Sequence, residues 1–143
     1  MSDRTALVVG GTSGIGLATA RRLHALGADV HIAGRSKEQL DGVAAGIAAI
    51  NAAVEALVKP LAAELAPIRV NGVSPGFVDT PWWSALPEEA RQAYFAQAAQ
   101  VLPVRRIATA DDIAEAVVLA ATNSNLTGTM IEADGGARFV SIT

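Results

Sequence analysis

Residues 5–36 read TALVVGGTSGIGLATARRLHALGADVHIAGRS, and the fold class turns on this stretch. Thr5 to Val9 is an apolar run rich in Val and stopped by Gly10, the pattern of a buried strand entering a turn. Ile15, Ala18, Leu23 and Leu26 then recur at helical spacing, and Gly27 supplies a C-terminal stop. Asp29 to Ala33 is a second short strand, ending at Gly34. Strand, glycine turn, helix and strand within about thirty residues form a βαβ unit, whose two strands run parallel.

The turn itself, GGTSGIG, spans Gly10 to Gly16. Glycines between a strand and a helix let backbone N–H groups and the helix N-terminus face a pyrophosphate with no Cβ in the way. Gly10, Thr12, Ser13, Gly14, Ile15 and Gly16 are therefore candidate nucleotide-binding positions; the alternative is a turn that serves tight strand-to-helix packing alone. After the second strand comes Gly34-Arg35-Ser36, where an NAD-preferring site would carry an Asp or Glu for the ribose. None is present. Arg35 offers a guanidinium fork for a 2′-phosphate, with Ser36 beside it, so the pattern favours NADP over NAD; the alternative for Arg35 is a surface ion pair.

Ser36 with Gln39 reads as a capping box, and the thirty residues from Ser36 to Leu65 hold no turn cluster, only Gly42, Gly46 and Pro60. One helix of that length would extend roughly 45 Å, so a break near Gly46 or a kink at Pro60 is expected. Ile68 to Val73 and Thr129 to Ala133 read as a third and a fourth strand, ended by Ser74-Pro75-Gly76 and Asp134-Gly135-Gly136. Between them Pro87 to Val101 and Thr109 to Ala121 read as helices, the second opened by Thr109 with Asp111 and Asp112 in its first turn.

With 143 residues, one domain over 1–143 is expected. Just over half the residues are apolar (51%), few of them aromatic (4%), which suits helices packed closely on a sheet. The formal charge of −3 and the scattered Lys and Arg residues point away from nucleic acid. Zero cysteines exclude disulfides and thiolate metal sites, and His24 and His31 are too few for a zinc cage. No apolar run approaches about 20 residues, so neither a membrane span nor a signal peptide is read, and the cytoplasm is the expected location.

These motifs together resemble the short-chain dehydrogenase/reductase family. GGTSGIG matches its glycine motif and HIAGRS the end of its second strand in NADP-using members. NAAVEALVKPLAAELAPIRVNGVSPGFVDTPW, from Asn51 to Trp82, is similar to its fifth helix, sixth strand and following loop, and GTMIEADGGARFV to its last strand. The resemblance implies that Pro75, Gly76, Val78 and Thr80 hold the nicotinamide half of the cofactor, and that 82–95 falls in the substrate-covering region. The Trp82-Trp83 pair is read instead as a packing or interface patch.

Family enzymes carry a Tyr-x-x-x-Lys pair on the helix matched here by the segment around Asn51. The Tyr exchanges a proton while the Lys lowers its pKa. The resemblance puts Ile47 and Asn51 at those two positions, and neither can substitute. The only tyrosine, Tyr94, is followed four residues later by Ala98, and the only lysines are Lys37 and Lys59, so no alternative pair exists and a second copy of the chain brings none. By the same comparison, three strands and their crossovers are missing between Gln39 and Ile50.

The expected architecture is a Rossmann-like α/β fold reduced to about four parallel strands, in the order second, first, third, fourth, with helices on both faces. Apolar surface bared by the missing elements predicts a homodimer. The expected function is a non-catalytic Rossmann domain with weak NADP(H) binding and no metal. The alternative is an NADP-dependent oxidoreductase acting on a carbonyl/alcohol pair through a rearranged site that uses Asp79 or Tyr94.

Overall fold

A computed structural model describes residues 5–9, 14–33 and 44–141. Strand β1 (Thr5–Val9) pairs in parallel with β2 (Asp29–Ala33), Thr5 opposite Asp29 and Val9 opposite Ala33, on the residues expected from the sequence. The crossover between them is helix α1 (Gly14–Ala25). Its end follows from Gly27, which takes φ 83° so that its N–H reaches the His24 carbonyl at 2.8 Å while Ala28 N–H reaches that of Leu23 at 3.1 Å. This paired closure satisfies carbonyls that the last turn would otherwise leave open, and it lays buried Ala28 against buried Leu23's turn.

Helix α2 (Ala44–Glu64) runs through both Gly46 and Pro60 without interruption. No break falls within 44–64; the stretch just before Ala44 and the Ser36–Gln39 cap lie outside the described residues. At 21 residues the helix spans roughly 32 Å.

Strand β3 (Gly72–Pro75) begins later than the expected Ile68, for a reason visible in the side chains. Arg69 Nη1 donates to the carbonyls of Ala120 at 2.8 Å and Leu126 at 3.0 Å, and Asn71 donates to Leu126 at 2.8 Å while accepting from Thr129 N–H. Val70 N–H is taken by the Thr127 hydroxyl. Residues 69–71 thus spend their hydrogen bonds on residues 120–129, and the regular ladder starts at Gly72, opposite Met130 of β6 (Met130–Ala133).

Two two-residue strands, β4 (Val78–Asp79) and β5 (Ala108–Thr109), form a further parallel pair. Between them lie a 3-10 turn (Pro81–Ala85) and helix α3 (Glu88–Val101). Helix α4 (Ala110–Thr122) opens as expected: the Thr109 hydroxyl accepts from Asp112 N–H at 3.2 Å and the Asp112 carboxylate accepts from Thr109 N–H at 2.7 Å.

The single four-stranded sheet is replaced by three parallel pairs, β1–β2, β3–β6 and β4–β5. The neighbours expected within each half are present, but among the described residues no backbone ladder joins β1 to β3. Helix packing joins the halves instead. Helix α1 packs along α4, which also covers β3, β5 and β6. The buried residues Thr19, Ala20 and Leu23 of α1 and Ile113, Ala114 and Ala120 of α4 form the centre of the core, and Arg22 reaches Asp111 at 3.1 Å and Glu115 at 3.0 Å across the crossing. Such exposed pairs add little energy and mainly set the register of the crossing. The core is thin: among the described residues Leu102 is the only large side chain fully buried, whereas Leu7 of β1 is 68% exposed.

Candidate functional site

The start of α1 sets one wall of the site. Gly14 has φ 51°, which an L side chain rarely adopts, and a Cβ there would lie 3.3 Å from Thr80. Glycine therefore lets the loop end meet the segment that follows β4. Ile15, the next residue, lines a cavity of about 410 Å³ together with Pro75, Gly76, Phe77, Val78, Thr80, Trp82 and Trp83.

The opposite wall is shaped by β3 and its exit. Gly76 passes so near the turn after β6 that a Cβ would fall 2.6 Å from the Asp134 carbonyl oxygen and 2.8 Å from its Cα. Beyond it, Trp83 Nε1 donates to the Val78 carbonyl at 3.0 Å, and its ring lies 5.5 Å from that of Tyr94 and 5.4 Å from that of Phe95. Tyr94 also meets Phe77 edge-on at 5.9 Å. Aromatic pairs at these separations each add about 1 kcal/mol beyond their area. Trp83 is thus a packing residue, as read from the sequence, that also lines the cavity, while Trp82, another lining residue, is 58% exposed.

Two carboxylates are held ionised, Asp134 beside Gly76 and Asp112 in the first turn of α4. Partial burial pushes the Asp134 carboxyl up, but the N–H groups of Gly136 and Arg138 and the Arg138 guanidinium outweigh it, so the group lies below its ordinary value. Asp112 is held well below the carboxylate range by the Arg106 guanidinium, which binds it at 2.6 and 2.8 Å, and by Thr109. Neither lines the cavity, whose only polar side chains among the described residues are the Thr80 hydroxyl and the indole N–H groups.

Of the residues singled out in the sequence, Ile15, Pro75, Gly76, Val78 and Thr80 come together in this one cavity, although Ile15 is sixty residues from the others in the chain. Gly14 and Gly16 stand in the first turn of α1, Gly14 against Thr80. Gly10, Thr12, Ser13, Arg35 and Ser36 lie outside the described residues. Asp79 faces Arg91 at 3.7 Å and Tyr94 lies within the aromatic cluster; neither is among the lining residues. Sequence reading missed Phe77 and Asp134. Phe77 sits inside the Ser74–Trp83 run already singled out, and Asp134 heads the Asp-Gly-Gly stop of β6.

Comparison with known proteins bears on this arrangement directly. Residues 44–138 match the family profile described as enoyl-(acyl carrier protein) reductase, and residues 4–52 that described as short chain dehydrogenase. The chain belongs to the short-chain dehydrogenase/reductase family. A short-chain dehydrogenase/reductase of Stachybotrys chlorohalonatus is 40% identical over 79 residues, covering 55% of this chain and 31% of that protein. The 3-oxoacyl-(acyl-carrier-protein) reductase FabG of Thermotoga maritima is 38% identical over 82 residues, 54% of this chain and 32% of its own length. The chain thus spans about a third of the length of these short-chain dehydrogenase/reductase relatives. A crystal structure of a small-chain dehydrogenase in complex with NADPH superposes with a TM-score of 0.85 at 28% identity, over 96% of this chain and 99% of that one. Ile47 and Asn51, the positions that the resemblance matches to the family's Tyr and Lys, both lie on α2.

Proposed function

We propose that this chain is a single-domain, minimal short-chain dehydrogenase/reductase fold over 1–143 that binds NADP(H) weakly and does not transfer hydride. The observation that carries the reading is the cavity that gathers Ile15 of the glycine loop with Pro75, Gly76, Val78 and Thr80. Its walls are apolar, and its size and the Thr80 hydroxyl suit a flat carboxamide-bearing ring, uncharged in NADPH. The NADPH complex of the similar small-chain dehydrogenase supports the cofactor class. On this reading Gly10, Thr12, Ser13, Gly14, Ile15 and Gly16 face the pyrophosphate, Arg35 and Ser36 take the 2′-phosphate, and the cavity takes the nicotinamide. A bound NADP(H) would supply hydride chemistry; the chain's residues here bind and orient.

Absence of turnover follows from the proton. A general acid must stand within about 3 Å of the reacting oxygen with its pKa matched to the task. The full sequence holds no Tyr-x-x-x-Lys pair, and among the described residues no carboxylate, imidazole, amine or phenol lines the cavity. The rearranged site with Asp79 or Tyr94 is disfavoured because both stand outside those walls, engaged by Arg91 and by Trp83.

The exposed apolar side chains, Leu7 on β1 and Val54 and Leu57 on α2 among them, support association of two copies, and we place the dimer in the cytoplasm. No helix among the described residues is long and apolar enough to cross a membrane. The deciding experiment is titration with NADPH, read by nicotinamide fluorescence, beside an assay on a panel of aldehydes and ketones. Saturable binding without turnover is expected. Saturable carbonyl reduction by the purified chain would overturn the non-catalytic reading, and absence of binding the cofactor assignment. Sedimentation at working concentration should give twice the monomer mass; a monomer refutes the dimer.

A further inference from the structure

We infer that Asp134 is a positioning residue for the nicotinamide end of the cavity, acting through Gly76; this rests on the NADP(H) reading above. The Asp134 carboxylate is only 11% exposed and closes a turn on itself: Oδ1 accepts from Gly136 N–H at 2.9 Å and Oδ2 from Arg138 N–H at 3.1 Å. Those two bonds hold Gly135 and Gly136 at φ 63° and 85°, conformations with no preference of their own to keep them there.

The turn so formed is clamped on its far side. A Cβ on Gly136 would lie 2.5 Å from Pro103, and Val104 N–H donates to the Gly135 carbonyl. On its near side the Asp134 backbone lies against the Cα of Gly76, with Gly76 N–H donating to the Ala133 carbonyl at 3.4 Å. Gly76 and its neighbours Pro75, Phe77 and Val78 make one continuous wall of the cavity. The carboxylate therefore sets where that wall stands without touching anything inside it. Where a ring must fit an apolar wall, a gap of about 0.5–1 Å forfeits a quarter to a half of each contact's attraction. Among the described residues, β1 and α1, which flank the glycine loop, take part in none of these contacts.

The test compares two probes on the whole chain: NADPH, and 2′-phospho-ADP-ribose, which carries the same phosphates and adenosine without nicotinamide. Calorimetry on the wild type and on Asp134→Ala gives the affinities, with circular dichroism checking that both are folded. Asp134→Ala should weaken NADPH at least tenfold and change 2′-phospho-ADP-ribose less than twofold. Asp134→Asn keeps an acceptor for Gly136 N–H and should return NADPH affinity to within threefold of the wild type. If Asp134→Ala does not fold, Asp134→Ser, which leaves one weaker acceptor, should give a smaller loss again confined to NADPH.

Equal loss for both probes would mark Asp134 as merely structural and overturn the inference. Unchanged NADPH affinity, or failure of Asp134→Asn to restore it, would do the same. Failure of the reading itself shows elsewhere, in a wild type that binds neither probe, or that binds both equally tightly because nicotinamide adds nothing.

Discussion

Replacing Gly76 by Ala puts a methyl group where the Asp134 backbone already stands. The new carbon would lie 2.6 Å from the Asp134 carbonyl oxygen, 2.8 Å from its Cα and 3.0 Å from its carbonyl carbon. Ordinary contacts begin near 3.4 Å, and no rotamer change relieves a clash with main chain. The β6 exit is in turn pinned by the turn on Asp134, so β3 and β6 must separate beyond Pro75 and Ala133. Overpacking of this kind costs about 1–3 kcal/mol. With backbone on the other side, the upper half of that range applies, about 2–3 kcal/mol, or some 30- to 150-fold in the folding equilibrium. Gly72→Ala is the control: its added carbon would fall 2.2 Å from Sδ of Met130, the middle of a flexible side chain that can turn away. Urea unfolding of both variants measures the difference through the midpoint at constant slope. Gly76→Ala unfolding at the wild-type midpoint, or less destabilised than Gly72→Ala, would refute the close-approach argument.

Thr19 is buried on α1 with no partner for its hydroxyl among the described residues, so Thr19→Val should raise stability by about 1 kcal/mol, read as a higher urea midpoint. The folded-state pKa of Asp112 is depressed, so its contribution is complete above the unfolded value near 4 and falls away as the pH drops through the lower folded value; a series of unfolding curves from pH 6 to pH 2 should show this acid limb, and Asp112→Asn should flatten it. Thr109→Ala removes the hydroxyl that accepts Asp112 N–H and should cost about 1 kcal/mol by the same unfolding assay. Arg35→Asp should reverse any preference for NADP over NAD in the fluorescence titration; a preserved preference would place the 2′-phosphate elsewhere.

The first half of the fold was legible because local rules decide it. An apolar strand, a glycine turn and a helix closed at Gly27 need only neighbours in sequence, and the structure sets β1, α1 and β2 where those neighbours put them. The Thr109 cap was equally local. What failed was decided at a distance. The start of β3 moved because Arg69 and Asn71 bind carbonyls about fifty residues away, and β4 and β5 are two residues long, too short to show any alternation. The join between the halves rests on tertiary packing that no repeat announces. At the site, Pro75, Gly76, Val78 and Thr80 were singled out by resemblance to a family, and only the folded chain brings them to Ile15. Asp134 was read as part of a strand stop, and its contact with Gly76 became visible only across the β3–β6 pair.

The crossing of α1 on α4 carries a kinetic consequence. Its ion pair links Arg22 to Asp111, residues 89 positions apart, so most of the polypeptide must loop back before the two ends can cooperate. The leading strand–helix–strand unit can assemble early from nearby residues, whereas its gain from the trailing unit arrives only on docking. A lesion at the crossing would then uncouple two pieces that each keep their own pleated pair, giving two melting events in place of one.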